Sequence, residues 1–128
     1  MTENEIGTIV VDSAVKLHKS LGPGLLETVY EGILIQQLQK AGLTTQRQVL
    51  VPITFEGVSY DEGFRADIII GGKVILELKS TEVVHPVHKK QLLTYLKLTG
   101  LKLGYLLNFG EELMKNGITR IINGEIQP

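Results

Sequence analysis

Apolar residues at Ile6, Ile9, Val10, Ala14, Leu17 and Leu21 recur every three or four positions, the spacing that gathers side chains along one side of an α-helix. An amphipathic helix is expected from about residue 4 to 20, and Gly22-Pro23-Gly24 breaks it. A second helix is expected from 25 to about 40, with Leu26, Val29, Tyr30, Ile33, Leu34, Gln37 and Leu38 on or beside its buried stripe and Gly42 as its stop. From Gln48 the period changes to two. Val49, Val51, Ile53 and Phe55 form one strand, and Glu56-Gly57 turns the chain into Val58-Ser59-Tyr60. Residues 64–70 and 74–79 are the next two strands, both too apolar for an exposed edge. Pro86 opens a helix that Gly100 ends; a strand over 103–109, a helical turn over 111–115 and a short strand over 119–122 complete the chain. This order predicts an α/β domain with a mixed central β-sheet flanked by helices, two of them before the sheet.

Length changes that picture little: 128 residues suit a single domain spanning 1–128. The chain has no cysteine, which excludes a disulfide framework and thiolate metal ligation. Its start, Met1-Thr-Glu-Asn-Glu5, lacks a basic region leading into an apolar one, and no apolar run approaches membrane-spanning length. A cytoplasmic protein with no membrane partner is expected. The net charge of −1 argues against a pervasive basic surface. From Pro86 onward, however, six basic residues stand against three acidic ones, whereas residues 1–42 carry three basic and five acidic. A nucleotide cofactor finds no support, because Gly71-Gly72 joins two strands instead of leading a strand into a helix.

Candidate chemistry concentrates between Asp67 and Lys79. Asp67 lies in one apolar run, Gly71-Gly72 turns the chain, and the returning run carries Glu77-Leu78-Lys79. Two carboxylates and an ammonium brought together by a hairpin can hold a divalent cation and set a lysine beside water, as phosphodiester hydrolysis requires. Strand alternation puts Glu77 and Lys79 on one face. Asp67 joins them only under a condition. A two-residue turn at Gly71-Gly72 sets it opposite Leu76, pointing away from Glu77. A three-residue loop, Gly71-Gly72-Lys73, sets it opposite Glu77, so that loop or a bulge next to Asp67 is expected.

With these parts in order, the chain resembles the PD-(D/E)xK nuclease superfamily, and within it the small GxxExxY branch. Gly24-Leu-Leu-Glu27-Thr-Val-Tyr30 matches the naming motif of that branch; Asp67 stands at the first acidic position, Glu77-Leu78-Lys79 at E-x-K, and Gln91-Leu-Leu-Thr-Tyr95 resembles the Q-x-x-x-Y helix of RecB-like nucleases. The departure is Ala66 where the motif has proline. The resemblance implies a restriction-endonuclease-like core. It also implies Mg²⁺ or Mn²⁺ held by Asp67, Glu77 and the Leu78 carbonyl, with Glu27 near the metal, and Lys79 orienting or helping to deprotonate the attacking water. Gln91 and Tyr95, four apart on one helical face, are placed to position Lys79 or the phosphate. Nucleic acid, in the first place DNA, is the implied substrate.

Plainer roles stand beside these. Glu27 complements a helix N-terminus; Tyr30 and Tyr95 are core aromatics whose hydroxyls need a partner; Gln91 ties helix to sheet. His85 and His88 flank a helix start with no third histidine near, and Lys89 and Lys90 form a solvated helix face. Two functional readings follow: a metal-dependent nuclease, helped by a second copy of the chain or a protein partner to grip a duplex, and a non-catalytic nucleic-acid- or protein-binding module that keeps the fold.

Overall fold

The computed structural model describes residues 1–127. Helix α1 (Glu3–Leu21) starts on a reciprocal cap: the Glu5 N–H donates to the Thr2 hydroxyl and the Thr2 N–H to the Glu5 carboxylate, each at 3.1 Å. It buries Ile6, Val10, Ala14 and Leu17, while Leu21, beyond the last turn that meets the core, is exposed. The Gly-Pro-Gly break leads into α2 (Glu27–Lys40). Tyr30 holds this corner, its hydroxyl donating to the Gly22 carbonyl and accepting the Leu25 N–H, with its ring stacked 4.4 Å from Phe109.

The expected stripe of α2 is displaced. Leu26, Val29 and Gln37 are exposed, and the buried positions are Tyr30, Glu31, Leu34 and Leu38. A carboxylate therefore occupies a core-facing position, which requires polar partners for it from elsewhere.

The sheet runs β1-β2-β3-β4-β5, comprising β1 (Thr45–Phe55), β2 (Val58–Ile70), β3 (Val74–Lys79), β4 (Leu103–Asn108) and β5 (Ile118–Ile122). Among the described residues only β3 and β4 pair in parallel, and α3 (Pro86–Thr99) connects them. The short segments expected at 58–60 and 64–70 are one 13-residue strand: the backbone stays extended through Asp61, Glu62 and Gly63, where the register with β1 shifts between Val51 and Ile53, in an arm that extends past the helices with both faces wet. The expected helical turn is a 3₁₀ turn over Met114–Asn116. Helices α1 and α2 pack on one face, over Ile68, Ile70, Val74, Leu76 and Leu78; Leu92 and Leu96 of α3 pack on the other, over Ile69, Ile75 and Leu106. No helix among the described residues is long and apolar enough to cross a membrane.

Candidate metal and phosphodiester site

The hairpin between β2 and β3 meets the condition set above. Ile70 pairs with Val74, Ile69 with Ile75 and Ile68 with Leu76, so the loop is Gly71-Gly72-Lys73 and the next position of the register sets Asp67 against Glu77. Gly71 and Gly72 both take left-handed backbone, φ 58° and 65°, which glycine adopts without steric penalty. The ladder stops at Ile68, and side chains replace it. The Asp67 N–H donates to Glu77 Oε1 at 3.4 Å, and the Leu78 N–H donates to Asp67 Oδ2 at 2.8 Å.

A second irregularity lies on the other side of Asp67. Strand β1 pairs with β2 at Arg47–Ile68 and at Val49–Ala66, but Gln48 and Asp67 between them leave the ladder, and Gln48 has φ 50°. Side-chain alternation changes phase there. Phe64 and Ala66 lie on the α3 side, whereas Ile68 and Ile70 lie on the α1 and α2 side.

This break lets a side chain from α2 reach the site. Gln48 Nε2 donates to both oxygens of Glu31, at 3.0 and 3.2 Å, and to Asp67 Oδ1 at 3.3 Å. Arg47 Nε pairs with Glu31 Oε1 at 3.2 Å. These two donors are the partners that the buried Glu31 requires.

Charge is crowded around Glu77. Burial first, and then the Asp67 carboxylate beside it, push its pKa up to about 9, while Lys79 opposes the shift weakly. At neutral pH Glu77 therefore keeps its proton. Tyr95, stacked on Phe64 with ring centroids 3.9 Å apart, has its pKa raised by burial and then by Glu77 and Asp67, so α3 covers this side of the pair. Gln91 lies next to Tyr95 and His88 and acts on both. Buried His88 Nδ1 has no hydrogen-bond partner among the described residues, and burial followed by Lys79 lowers the pKa of that ring. His85 caps α3, its Nδ1 accepting the Val87 N–H at 3.4 Å.

Of the residues marked in the sequence, Asp67, Glu77, Lys79, Gln91 and Tyr95 thus share one neighbourhood. Glu27 is exposed at the first turn of α2. It lines an open cleft of about 350 Å³ past the end of β3, with Leu25, Ser80, Thr81, Glu82 and Gly110. A family model for the PD-(D/E)XK nuclease superfamily matches residues 4–121. The chain belongs to that superfamily. It also shares 31% identity over 91 residues with a component of the A-type ATP synthase of Methanospirillum hungatei, covering 63% of this chain. The match spans only 15% of that relative's length. No solved structure matches the chain.

Superfamily nucleases generally use divalent metals, and the donors here fit a hard one. Asp67 and Glu77 present carboxylate oxygens side by side, and burial, with the Asp67 carboxylate second, keeps a proton on Glu77, a burden that a bound cation would remove. Among the described residues no three Asp, Glu or His side chains form a ready ligand set. A hard cation such as Mg²⁺ keeps several waters, so one or two carboxylates suffice.

Sequence reasoning missed Glu31, Gln48 and Asn108. Glu31 had a signal, since it stands three and seven residues before Leu34 and Leu38, on their stripe. Gln48 had none, because a left-handed glutamine within a strand pattern leaves no mark. The buried Asn108 amide accepts the Thr81 and Gly110 N–H groups at 3.1 and 3.0 Å and donates to the Thr81 carbonyl at 3.0 Å, fixing the loop that leaves Lys79.

Proposed function

We propose that this superfamily member is a Mg²⁺- or Mn²⁺-dependent nuclease of the GxxExxY branch that hydrolyses phosphodiester bonds of DNA. The observation that carries the reading is the contact of Asp67 with the Glu77-Leu78 segment across the three-residue hairpin, with Lys79 one strand position further on the Glu77 face. Asp67, Glu77 and the Leu78 carbonyl would hold the cation, which when bound lowers the pKa of water and offsets charge on the scissile phosphate. Glu27 approaches from the cleft past β3. Glu77 would serve as a ligand in its carboxylate form, its proton passing to solvent. The Lys79 ammonium would orient the attacking water, whose oxygen bonds to phosphorus as the bond to the leaving oxygen breaks; the water's proton passes to solvent, and the leaving oxygen takes up a proton from solvent. Gln91 and Tyr95 position Lys79 and the phosphate from α3.

The net charge of −1 gives little non-specific grip on a duplex. A second copy of the chain or a protein partner would add the missing contacts, and a cytoplasmic setting fits this chemistry. The test is incubation of end-labelled linear, circular and single-stranded DNA with Mg²⁺ or Mn²⁺, with EDTA controls and the Glu77→Ala and Lys79→Ala variants. Metal-dependent cleavage that falls at least about a hundredfold in both variants is the expected result. No cleavage by the wild type on any of these, together with no metal uptake, points instead to a non-catalytic binding module.

A further inference from the structure

Gln48 combines three properties that do not otherwise go together. It lies in the interior of β1, its φ of 50° is one that non-glycine residues rarely adopt, and its side chain joins carboxylates from two different elements. A regular strand residue here would continue the ladder with Asp67 and send its side chain to one face of the sheet. The left-handed backbone instead turns the Gln48 side chain so that it reaches both Glu31 and Asp67.

The chemistry of the contact fixes which end of the amide faces inward. Three carboxylate oxygens surround it, at 3.0, 3.2 and 3.3 Å. An amide oxygen there would meet only acceptors, whereas the NH₂ group has a hydrogen for each carboxylate. Arg47 holds the far end of the row through Glu31. At the near end, the Leu78 N–H already occupies Asp67 Oδ2, and Gln48 takes Oδ1. Both oxygens of Asp67 are therefore held, one by β3 and one by a row of side chains running back to α2. A short carboxylate free to rotate would point at Glu77 only part of the time; this one has a single orientation.

We propose that Gln48 is a positioning residue, which with Glu31 behind it orients the Asp67 carboxylate for cation binding; the role rests on the nuclease reading above. Glu31 is an anchor and not a ligand. Its buried charge makes the anchor rigid, because moving it would leave that charge without donors.

Gln48→Gly tests this cleanly. Glycine adopts the same φ more readily, so the backbone is not penalised, while the amide is lost. Gln48→Asn provides a second variant, which tolerates left-handed backbone but is one methylene short of the carboxylates. The measurements are Mn²⁺ affinity by calorimetry, kcat and KM on DNA, melting temperature, and hydrogen exchange of the Leu78 amide in metal-free protein. The expected result is a loss of roughly 10- to 100-fold in both Mn²⁺ affinity and kcat with KM unchanged. The Leu78 amide exchanges faster, and melting falls by several degrees in both variants because buried Glu31 keeps only Arg47 as a donor, so affinity and kcat are compared well below either melting temperature. A wild type that binds Mn²⁺ and cleaves, with both variants within about twofold of it, overturns the positioning role and leaves the nuclease reading standing. A wild type that neither takes up Mn²⁺ nor cleaves overturns the nuclease reading, and the role of Gln48 with it.

Discussion

Replacing Glu77 by glutamine stabilises the metal-free protein at alkaline pH and leaves it nearly unchanged at acid pH. The native pKa of Glu77 is raised from 4.5 to about 9 by burial and by the Asp67 carboxylate. Below about pH 4.5 both the native and the unfolded chain carry the proton, and the group adds no penalty. As the pH rises, the unfolded chain releases its proton while the native chain keeps one, so the unfolded state binds fewer protons and stability falls. Between about pH 5 and pH 8 this linkage removes about 4 kcal/mol from the native state. That is a large fraction of a typical domain stability of about 5–15 kcal/mol. Glutamine imitates the protonated carboxyl and does not titrate, so Glu77→Gln abolishes the slope. In EDTA-treated protein at about pH 8 it should unfold roughly 10 °C above the wild type, and at about pH 5 within a few degrees of it. Urea unfolding at both pH values gives the same comparison in free energy. If the two proteins lose stability in parallel from about pH 5 to pH 8, differing by less than about 1 kcal/mol throughout, then Glu77 holds no extra proton and the carboxylates are not crowded as described.

Two further expectations concern the supports of the site. Asn108→Leu removes three hydrogen bonds from a side chain that is 1% exposed, leaving the Thr81 and Gly110 N–H groups and the Thr81 carbonyl without their partner. A loss of about 3 kcal/mol or more in urea unfolding is expected, and a loss below about 1 kcal/mol would mean that the loop after β3 finds other donors and acceptors. Gly72→Val places a branched side chain at φ 65°, where nothing crowds it, so the cost is conformational, about 1–2 kcal/mol. Because this loop sets Asp67 opposite Glu77, Mn²⁺ uptake measured by calorimetry should weaken as well; unchanged uptake would separate the loop from the site.

Much of the fold was legible because several independent local signals coincide. The period of Ile6 to Leu17, the Gly-Pro-Gly break, Pro86 with Gly100, and the two glycines of the hairpin each mark one boundary, and the structure places elements between them. At Gly71-Gly72-Lys73 more was legible still, since the period of two in a strand turns a loop length into a statement about which side chains meet. Reading failed where tertiary contacts override local pattern. The arm of β1 and β2 is wet on both faces, so no alternation marked its continuity through residues 61–63. The stripe of α2 was misplaced because the donors that let Glu31 be buried, Arg47 and Gln48, lie sixteen and seventeen residues away. The phase change at Asp67 belongs to the same class, since it depends on a backbone angle at Gln48 that glutamine rarely adopts.

The most direct measurement is a calorimetric titration of Mn²⁺ into the protein at about pH 7, repeated in two buffers of different ionisation enthalpy to count protons. A cation held by Asp67 and Glu77 must displace the proton that Glu77 keeps at that pH, so about one proton should leave per ion bound, and none from Glu77→Gln. No uptake, or uptake without proton release, would contradict a metal site built on this carboxylate pair.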